Sequence, residues 1–446
     1  MADLDAIFKA YDIRGLVPEQ LDAEASRAIG AGYARYLVDN DGATQVVIAR
    51  DMRPTGEEYS EAFADGVMSQ GVDVIMIGLA STDMMYFASG NLGIPGAVFT
   101  ASHNPAEYNG IKMSRAHAAP IGGDTGLGDI KEMAANGLPD ADTRGTRSEM
   151  EMLDAFADHV RSFVDTSKLT GLKIIADTAN GMGGLVAPAV FSKIDVDIEI
   201  MYPELDGTFP NHEANPIQPE NQKDLIARVL ETGADVGLAF DGDADRVFLV
   251  DETGRPISGS LTTALVAKRM LEKKPGSTIL HNLICSKSVP EVITEGGGTA
   301  VRTQVGHSYI KADMAETGAA FAGEHSGHYY FADNWRADSG LIASMFILEA
   351  MCDTGLKLSE LVAPLDRYSA SGEINTKVDD AKATIEKVAA AYPDAEQSRL
   401  DGLTVDFGVW WFNLRASNTE PLLRLNLEAG TPEEVDTRVA EVIAHF

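Results

Sequence analysis

The chain has 446 residues, and its 36 Lys plus Arg against 68 Asp plus Glu give a formal charge of −32. At roughly 150 residues per domain this length implies about three domains and excludes a peptide hormone or mini-protein scaffold. The charge argues against any sequence-independent grip on nucleic-acid phosphates. Hydrophobic residues make up 45% and charged residues 23%, so the acidity decorates a folded surface and does not mark a disordered chain. Only Cys285 and Cys352 are present, which leaves no disulfide framework and no zinc spacing and fits a reducing, cytoplasmic setting. The acidic opening residues are unlike a signal peptide, and no uninterrupted apolar run reaches about 18 residues, so no membrane partner is expected.

Along the chain, short β-branched apolar runs alternate with longer segments of helical spacing. A strand is expected over 45–49, a helix over 57–70 and a strand over 72–77, the pattern of a βαβ unit with parallel strands. Residues 46–50, 173–177 and 278–285 each read as the opening strand of such a unit. Three similar α/β domains with mixed sheets follow, over 1–148, 149–252 and 253–366. The acidic stretch 137–149 reads as a linker, and 251–259 carries turn residues after a strand. From about 364–371 a different unit begins, with a helix at 381–391, strands at 403–407, 409–414 and 423–427, and a closing helix from Pro432 to about Ala444. This is a smaller α+β C-terminal domain, 367–446.

Three apolar runs end in loops dense in chemistry, where ligands of open α/β sheets sit. Residues 97–100 lead into Ser102-His103-Asn104-Pro105, 236–240 into Asp241-Gly-Asp243-Ala-Asp245-Arg246, and 319–322 into Gly323-Glu324-His325-Ser326-Gly327-His328. The three aspartates are spaced by two with small residues between, so one loop can fold three carboxylates around a hard cation. Without one they would repel and raise each other's pKa. An EF-hand would need Gly at the sixth position, where Arg246 stands, and helices where the flanks read as strands. Arg246 beside a metal loop favours a ligand carrying phosphate. The turn at Asn104-Pro105 would push the Ser102 hydroxyl into a cleft. No Gly-x-Ser-x-Gly elbow marks Ser102 as an acyl-transfer nucleophile. Lys112 follows closely enough to return to the same place, where a lysine of lowered pKa would move a sugar hydroxyl proton or hold a phosphate. The Glu324 loop suits vicinal hydroxyls of a sugar. Arg415-Ala-Ser417-Asn418-Thr419 combines a guanidinium with hydroxyls, an amide and backbone donors, the makings of an anion nest. Solvated turns and surface charges are the plainer reading of each loop taken alone, and Arg14 and His307 are the weakest candidates.

Taken together, Tyr11-Asp-Ile-Arg14-Gly15 and the four loops, in this order, resemble the α-D-phosphohexomutase superfamily and most closely its phosphomannomutase/phosphoglucomutase branch. The resemblance spans nearly the whole chain. It implies four domains around a central cleft, a phosphoryl group carried on Ser102, and one Mg²⁺ bound by Asp241, Asp243 and Asp245 with the phosphate on Ser102. It further implies that Glu324 and Ser326 contact sugar hydroxyls, that Arg415, Ser417, Asn418 and Thr419 grip the distal phosphate, and that Lys112 is an acid/base candidate. Arg14, His103, Arg246, Lys287, His307 and His328 would be secondary contacts. Ala244, where relatives often carry Gly, and His325, at a position that varies with sugar specificity, are the departures.

The expected activity is phosphomannomutase, interconverting mannose 1-phosphate and mannose 6-phosphate through phosphoserine and a hexose 1,6-bisphosphate that also serves as activator, with glucose phosphates as further substrates. Phosphoglucomutase as the main activity, a metal-dependent sugar phosphatase, and a non-catalytic sugar-phosphate sensor are the alternatives. The expected partners are hexose monophosphates, with the chain a monomer or homodimer.

Overall fold

The computed structural model describes residues 3–416 and 422–446. The chain divides into two compact units, one of residues 1–258 with 326–360, the other of 259–325 with 361–446.

The first unit holds two mixed sheets. In one, the strands run in the order Ile13–Leu16, Tyr108–Arg115, Gly96–Phe99, Gln45–Arg50, Asp73–Leu79 and Arg147–Glu149. The expected βαβ unit is present, as Gln45–Arg50 pairs in parallel with both Asp73–Leu79 and Gly96–Phe99. Strand Tyr108–Arg115 returns antiparallel beside Gly96–Phe99 and puts Lys112 opposite Val98. The second sheet has the order Pro256–Ile257, Val247–Asp251, Val236–Phe240, Thr170–Asp177 and Asp195–Met201.

Residues 137–149 are not a free linker. Arg147–Glu149 adds a parallel edge strand to Asp73–Leu79, with Thr146 bonded to the Asp73 carboxylate through its amide at 2.7 Å and its hydroxyl at 2.8 Å. The three residues are polar and exposed, so no apolar alternation announces the strand.

Helices Ala23–Asp41 and Gly56–Ser69 cover one face of the first sheet and bury Ile29, Tyr33, Leu37 and Phe63 with Val46, Ile48 and Val74. Asp22 caps the first helix by accepting from the Ala25 amide, and Gly42 at φ 64° ends it in the left-handed conformation. The two helices touch backbone to backbone. A Cβ on Gly66 would lie 2.0 Å from the Arg27 carbonyl oxygen, and one on Gly30 would lie 2.2 Å from that of Phe63.

In the second unit, strands Thr299–Thr303, Thr278–Asn282 and Phe321–Gly323 are parallel. Five antiparallel strands follow in the order Ser369–Lys377, Leu422–Ala429, Trp411–Ala416, Leu403–Asp406 and Glu396–Ser398, with helices Ala381–Ala391 and Pro432–Ile443. The α+β C-terminal region is as expected, with two differences. The strand expected from 409 begins at Trp411, because Val409 sits 75% exposed at a hairpin tip closed by the Phe407 amide on the Trp410 carbonyl. Ser369–Lys377 is a strand where none was expected, since its exposure alternates with almost no apolar residues to show it. Among the described residues, no helix is long and apolar enough to cross a membrane.

Substituting Gly66→Ala drives a methyl group into a carbonyl that has nowhere to move, and should cost on the order of 3 kcal/mol. Urea denaturation followed by circular dichroism measures it, and a loss below about 0.5 kcal/mol would show that the helices can separate without penalty.

Candidate active site

The site in the first unit is built where two strands end. Gly96–Phe99 leads into the Ser102 turn, and Val236–Phe240 into the aspartate turn, which returns along Val247–Asp251 as an antiparallel hairpin. That hairpin excludes the helical flanks of an EF-hand. Ser102 and Ala244 both adopt left-handed backbone, at φ 50° and 59°. This is an unfavourable region for L-residues with side chains. A Cβ on Gly242 would lie 2.4 Å from the Ser102 carbonyl oxygen, so only glycine lets the two turns meet.

The result is a dense, buried charge cluster. Ser102 Oγ donates to Asp241 Oδ2 at 2.9 Å. Arg246 Nε donates to that same oxygen at 2.8 Å, and Arg246 Nη2 lies 3.4 Å from Ser102 Oγ. Lys112 Nζ bridges Asp243 Oδ2 and Asp245 Oδ2, at 2.7 Å each, and Thr82 Oγ1 donates to Asp243 Oδ2 at 2.6 Å. His103 Nδ1 stands 2.5 Å from Arg246 Nη2. Arg14 reaches Asn104 Oδ1 of the serine turn at 2.6 Å and pairs with Asp12 at 2.6 Å. His328 Nδ1 is 2.8 Å from Asp338 Oδ2 and 3.8 Å from Asp245 Oδ1.

Ligand-capable atoms of Asp241, Asp243 and Asp245 all lie within 4.8 Å of one another. Asp243 Oδ1 and Asp245 Oδ1 are buried without a hydrogen-bond partner. Two orphaned carboxylate oxygens in a buried triad fit a hard divalent cation, which would satisfy both at once.

The electrostatics separate the three acids. Burial, reinforced by its two neighbours, pushes Asp241 up to about 7 against the pull of Arg246. Burial and then Asp243 also raise Asp245. Burial opposes the charge on Asp243 too, but Lys112, Thr82 and Arg246 outweigh it and hold that carboxyl well below the usual range. Burial, with repulsion from the neighbouring carboxyls added, therefore raises two of the three and not Asp243. Lys112 departs further from expectation. Burial works against its charge, yet Asp243 and Asp245 hold it well above the usual lysine value, so the expected lowering is not found. Burial, then Arg246 and Arg14, lowers His103, leaving a neutral ring whose Nδ1 accepts from Arg246. For His328 burial is outweighed by Asp245 and Asp338, and its pKa rises.

The structure thus gathers Arg14, Ser102, His103, Lys112, Asp241, Asp243, Asp245, Arg246 and His328. Ser326 is half-buried just ahead of Gly327, whose carbonyl accepts from the Val247 amide at 3.4 Å.

The other candidates belong to the second unit. Glu324 is buried and accepts from Asn282 Nδ2 at 3.0 Å. His307 opens helix His307–Thr317. Lys287 Nζ donates to Asp406 Oδ1 at 3.0 Å and to the Gly408 carbonyl at 2.6 Å. Arg415 makes loose ion pairs with Asp401 at 3.5 Å and Glu373 at 3.7 Å, and Arg424 lies opposite it in register. Ser417, Asn418 and Thr419 lie outside the described residues.

Besides Thr82, four contributors escaped the sequence reading. Asp338 pairs with His328, and Ser339 Oγ donates to Asp83 Oδ2 at 2.7 Å while capping helix Gly340–Thr354. Burial raises Asp83 to about 8. The fourth is Arg53, in the buried Asp51-Met-Arg53 run beyond strand Gln45–Arg50. A charged pair just past the carboxyl end of a parallel strand was the available signal.

The domain models of one family match the chain in order. They are phosphoglucomutase/phosphomannomutase alpha/beta/alpha domain I over residues 5–137, domain II over 154–254, domain III over 258–368, and the C-terminal domain over 373–445. A protein of Salmonella montevideo named phosphomannomutase is 40% identical, with 98% of each chain covered. One of Xanthomonas campestris pv. campestris named phosphohexose mutases is 41% identical, again with 98% of each covered. Among solved structures, a phosphoglucomutase/phosphomannomutase family protein from Burkholderia thailandensis superposes with a TM-score of 0.90 at 32% identity, covering 99% of this chain and 98% of that one. Matched in all four domains and along nearly its whole length, the chain belongs to the phosphoglucomutase/phosphomannomutase family.

Proposed function

We propose that this chain is a phosphomannomutase that interconverts mannose 1-phosphate and mannose 6-phosphate through phosphorylated Ser102 and a hexose 1,6-bisphosphate, and that it also accepts glucose phosphates. The observation that carries the reading is the Ser102 hydroxyl 2.9 Å from Asp241, inside a buried triad of carboxylates flanked by Arg246 and Lys112. A serine acting by acyl transfer has no use for such a cluster, whereas phosphoryl transfer needs positioning and charge neutralisation above all.

Asp241, Asp243 and Asp245 hold Mg²⁺ in this reading, together with the phosphate on Ser102. When bound, the cation supplies positive charge to the oxygens of the transferring phosphoryl group. Transfer breaks the bond from Ser102 Oγ to phosphorus and forms one from phosphorus to a sugar oxygen, whose proton departs. Arg246, held to Asp241 and to a neutral His103, faces the same oxygens. Lys112 handles the proton, because neutralising Asp243 and Asp245 removes the charges that hold its own pKa high. Arg14 keeps the serine turn in place through Asn104. Glu324 and Ser326 read sugar hydroxyls, and Arg415 with Ser417, Asn418 and Thr419 receives the phosphate that is not reacting. Lys287, His307 and His328 complete the substrate contacts.

The deciding experiment supplies mannose 1-phosphate, glucose 1-phosphate or N-acetylglucosamine 1-phosphate with Mg²⁺ and a trace of glucose 1,6-bisphosphate, and follows 6-phosphate product and free phosphate. Isomer from mannose 1-phosphate is expected. Free phosphate alone would mean a phosphatase. Ser102→Ala should lower turnover by at least about 10³-fold, with a melting temperature unchanged within about 2 °C; wild-type turnover in that variant would remove phosphoserine from the mechanism.

Chelation should abolish activity and added Mg²⁺ restore it. Asp243→Asn should raise the Mg²⁺ concentration needed for half-activity by at least about tenfold. An unchanged requirement in a titration would move the metal elsewhere.

The metal-free protein should also show an inverted pH response. The folded-state pKa values of Asp241, about 7, and Asp83, about 8, lie above those of unfolded carboxyls. Folded protein then binds more protons than unfolded protein, and stability rises as pH falls. His328, raised as well, acts in the same direction, while His103, His159 and His281, lowered by burial, oppose it in part. Chelator-treated protein should melt roughly 3 °C higher at pH 6.5 than at pH 8, and Asp83→Asn should flatten the difference. A higher melting point at pH 8 would show that these carboxyls ionise freely.

A further inference from the structure

Arg53 is a further buried cation of the first unit. Its side chain is fully buried, and its guanidinium turns toward a single stretch of backbone. Nη1 donates to the carbonyls of Pro105 and Tyr108, each at 2.8 Å. Nη2 donates to the carbonyls of Ser102 at 3.0 Å and Asn104 at 2.6 Å. Nε faces Asp51 Oδ2 at 3.4 Å, and the Arg53 amide donates to Asp51 Oδ1 at 2.9 Å. The Phe209 ring lies 5.3 Å from the guanidinium carbon, and Gly207 packs against the Arg53 backbone. Four of the five N–H groups of the fork thus grip residues 102–108.

Within the turn the Pro105 carbonyl also accepts from the Tyr108 amide at 3.1 Å, and Ser102 is held at φ 50°. A planar fork with fixed donor directions can take all four carbonyls, whereas an ammonium on a flexible stem offers three donors in one small cluster. The Ser102 carbonyl is caught between this fork and Gly242 of the aspartate turn, where a Cβ would come within 2.4 Å. Fixing that oxygen fixes the backbone from which the Ser102 side chain leaves toward Asp241.

The geometry points to Arg53 as a positioning residue for phosphoryl transfer: it touches neither the Ser102 hydroxyl nor the carboxylates, and aims Oγ by clamping the four carbonyls of its turn. This rests on Ser102 being the phosphoryl carrier. A carrier displaced by about 1 Å loses on the order of 10²-fold in rate while substrate binding survives. Asp51 and Phe209 hold the clamp from its other sides.

The test uses the full-length chain with Mg²⁺. Arg53→Lys retains the charge and loses the fork. Its kcat for mannose 1-phosphate should fall about 100-fold with KM within about twofold, and the rate at which radiolabelled glucose 1,6-bisphosphate labels Ser102 should fall in parallel. Wild-type kcat per folded molecule, with only the melting temperature reduced, overturns the proposal. If Arg53→Lys does not fold, Phe209→Ala at the half-buried ring should lower kcat about threefold or more at constant KM, and an unchanged kcat there overturns it equally. Label on wild-type Ser102 that appears as fast in the Arg53 variant rejects the positioning role alone. No label on wild-type Ser102 rejects the phosphoserine reading and this proposal with it.

Discussion

Three carboxylates buried within reach of one another, in a chain already at −32, form the constraint on which the rest of the site depends. Charges so placed are tolerated only with compensating partners. The fold supplies Lys112 from a returning strand, Arg246 from the same hairpin and Thr82 from a helix start. These partners occupy one oxygen each of Asp243 and Asp245 and leave the other bare. The compensation is incomplete in a directed way, and it leaves a place for a cation beside a serine hydroxyl.

Much of this was legible in the residues. Strands Gly96–Phe99 and Val236–Phe240 are apolar runs ending abruptly in polar turns, so both the sheets and the chemistry at their carboxyl ends could be read directly. The closing helix showed itself through Pro432. What stayed hidden works across long separations or against local pattern. Asp83 meets Ser339 from 256 positions away, and nothing in either neighbourhood points to the other. Arg53 looks like a surface arginine until a turn fifty residues later needs four donors. The strands Arg147–Glu149 and Ser369–Lys377 carry too few apolar residues for a period of two to appear. The charge state of Lys112 was misread because its chain neighbours are neutral, and the carboxylates that raise it come from another sheet.

The cations available for anionic ligands are almost all engaged inside the protein. Arg246 is committed to Asp241, Lys287 to Asp406, and Arg415 to Asp401 and Glu373. In so acidic a chain the long-range field repels anions, so an anionic ligand depends on such local cations. Any anion arriving at Arg415 would have to displace Asp401 and Glu373. The loose pairing of Arg415, at 3.5 and 3.7 Å, makes that exchange easy, whereas the 2.8 Å pair of Arg246 with Asp241 does not yield.

Gly242 has a wider consequence. Because its hydrogen rests against the Ser102 carbonyl oxygen, the serine turn and the aspartate turn behave as a single mechanical part assembled from two distant stretches of chain. Neither can be lengthened, reshaped or transplanted by itself. A hybrid enzyme whose crossover falls between residues 102 and 242 would join halves shaped against different counterparts, so recombination within this architecture must exchange both turns together or neither.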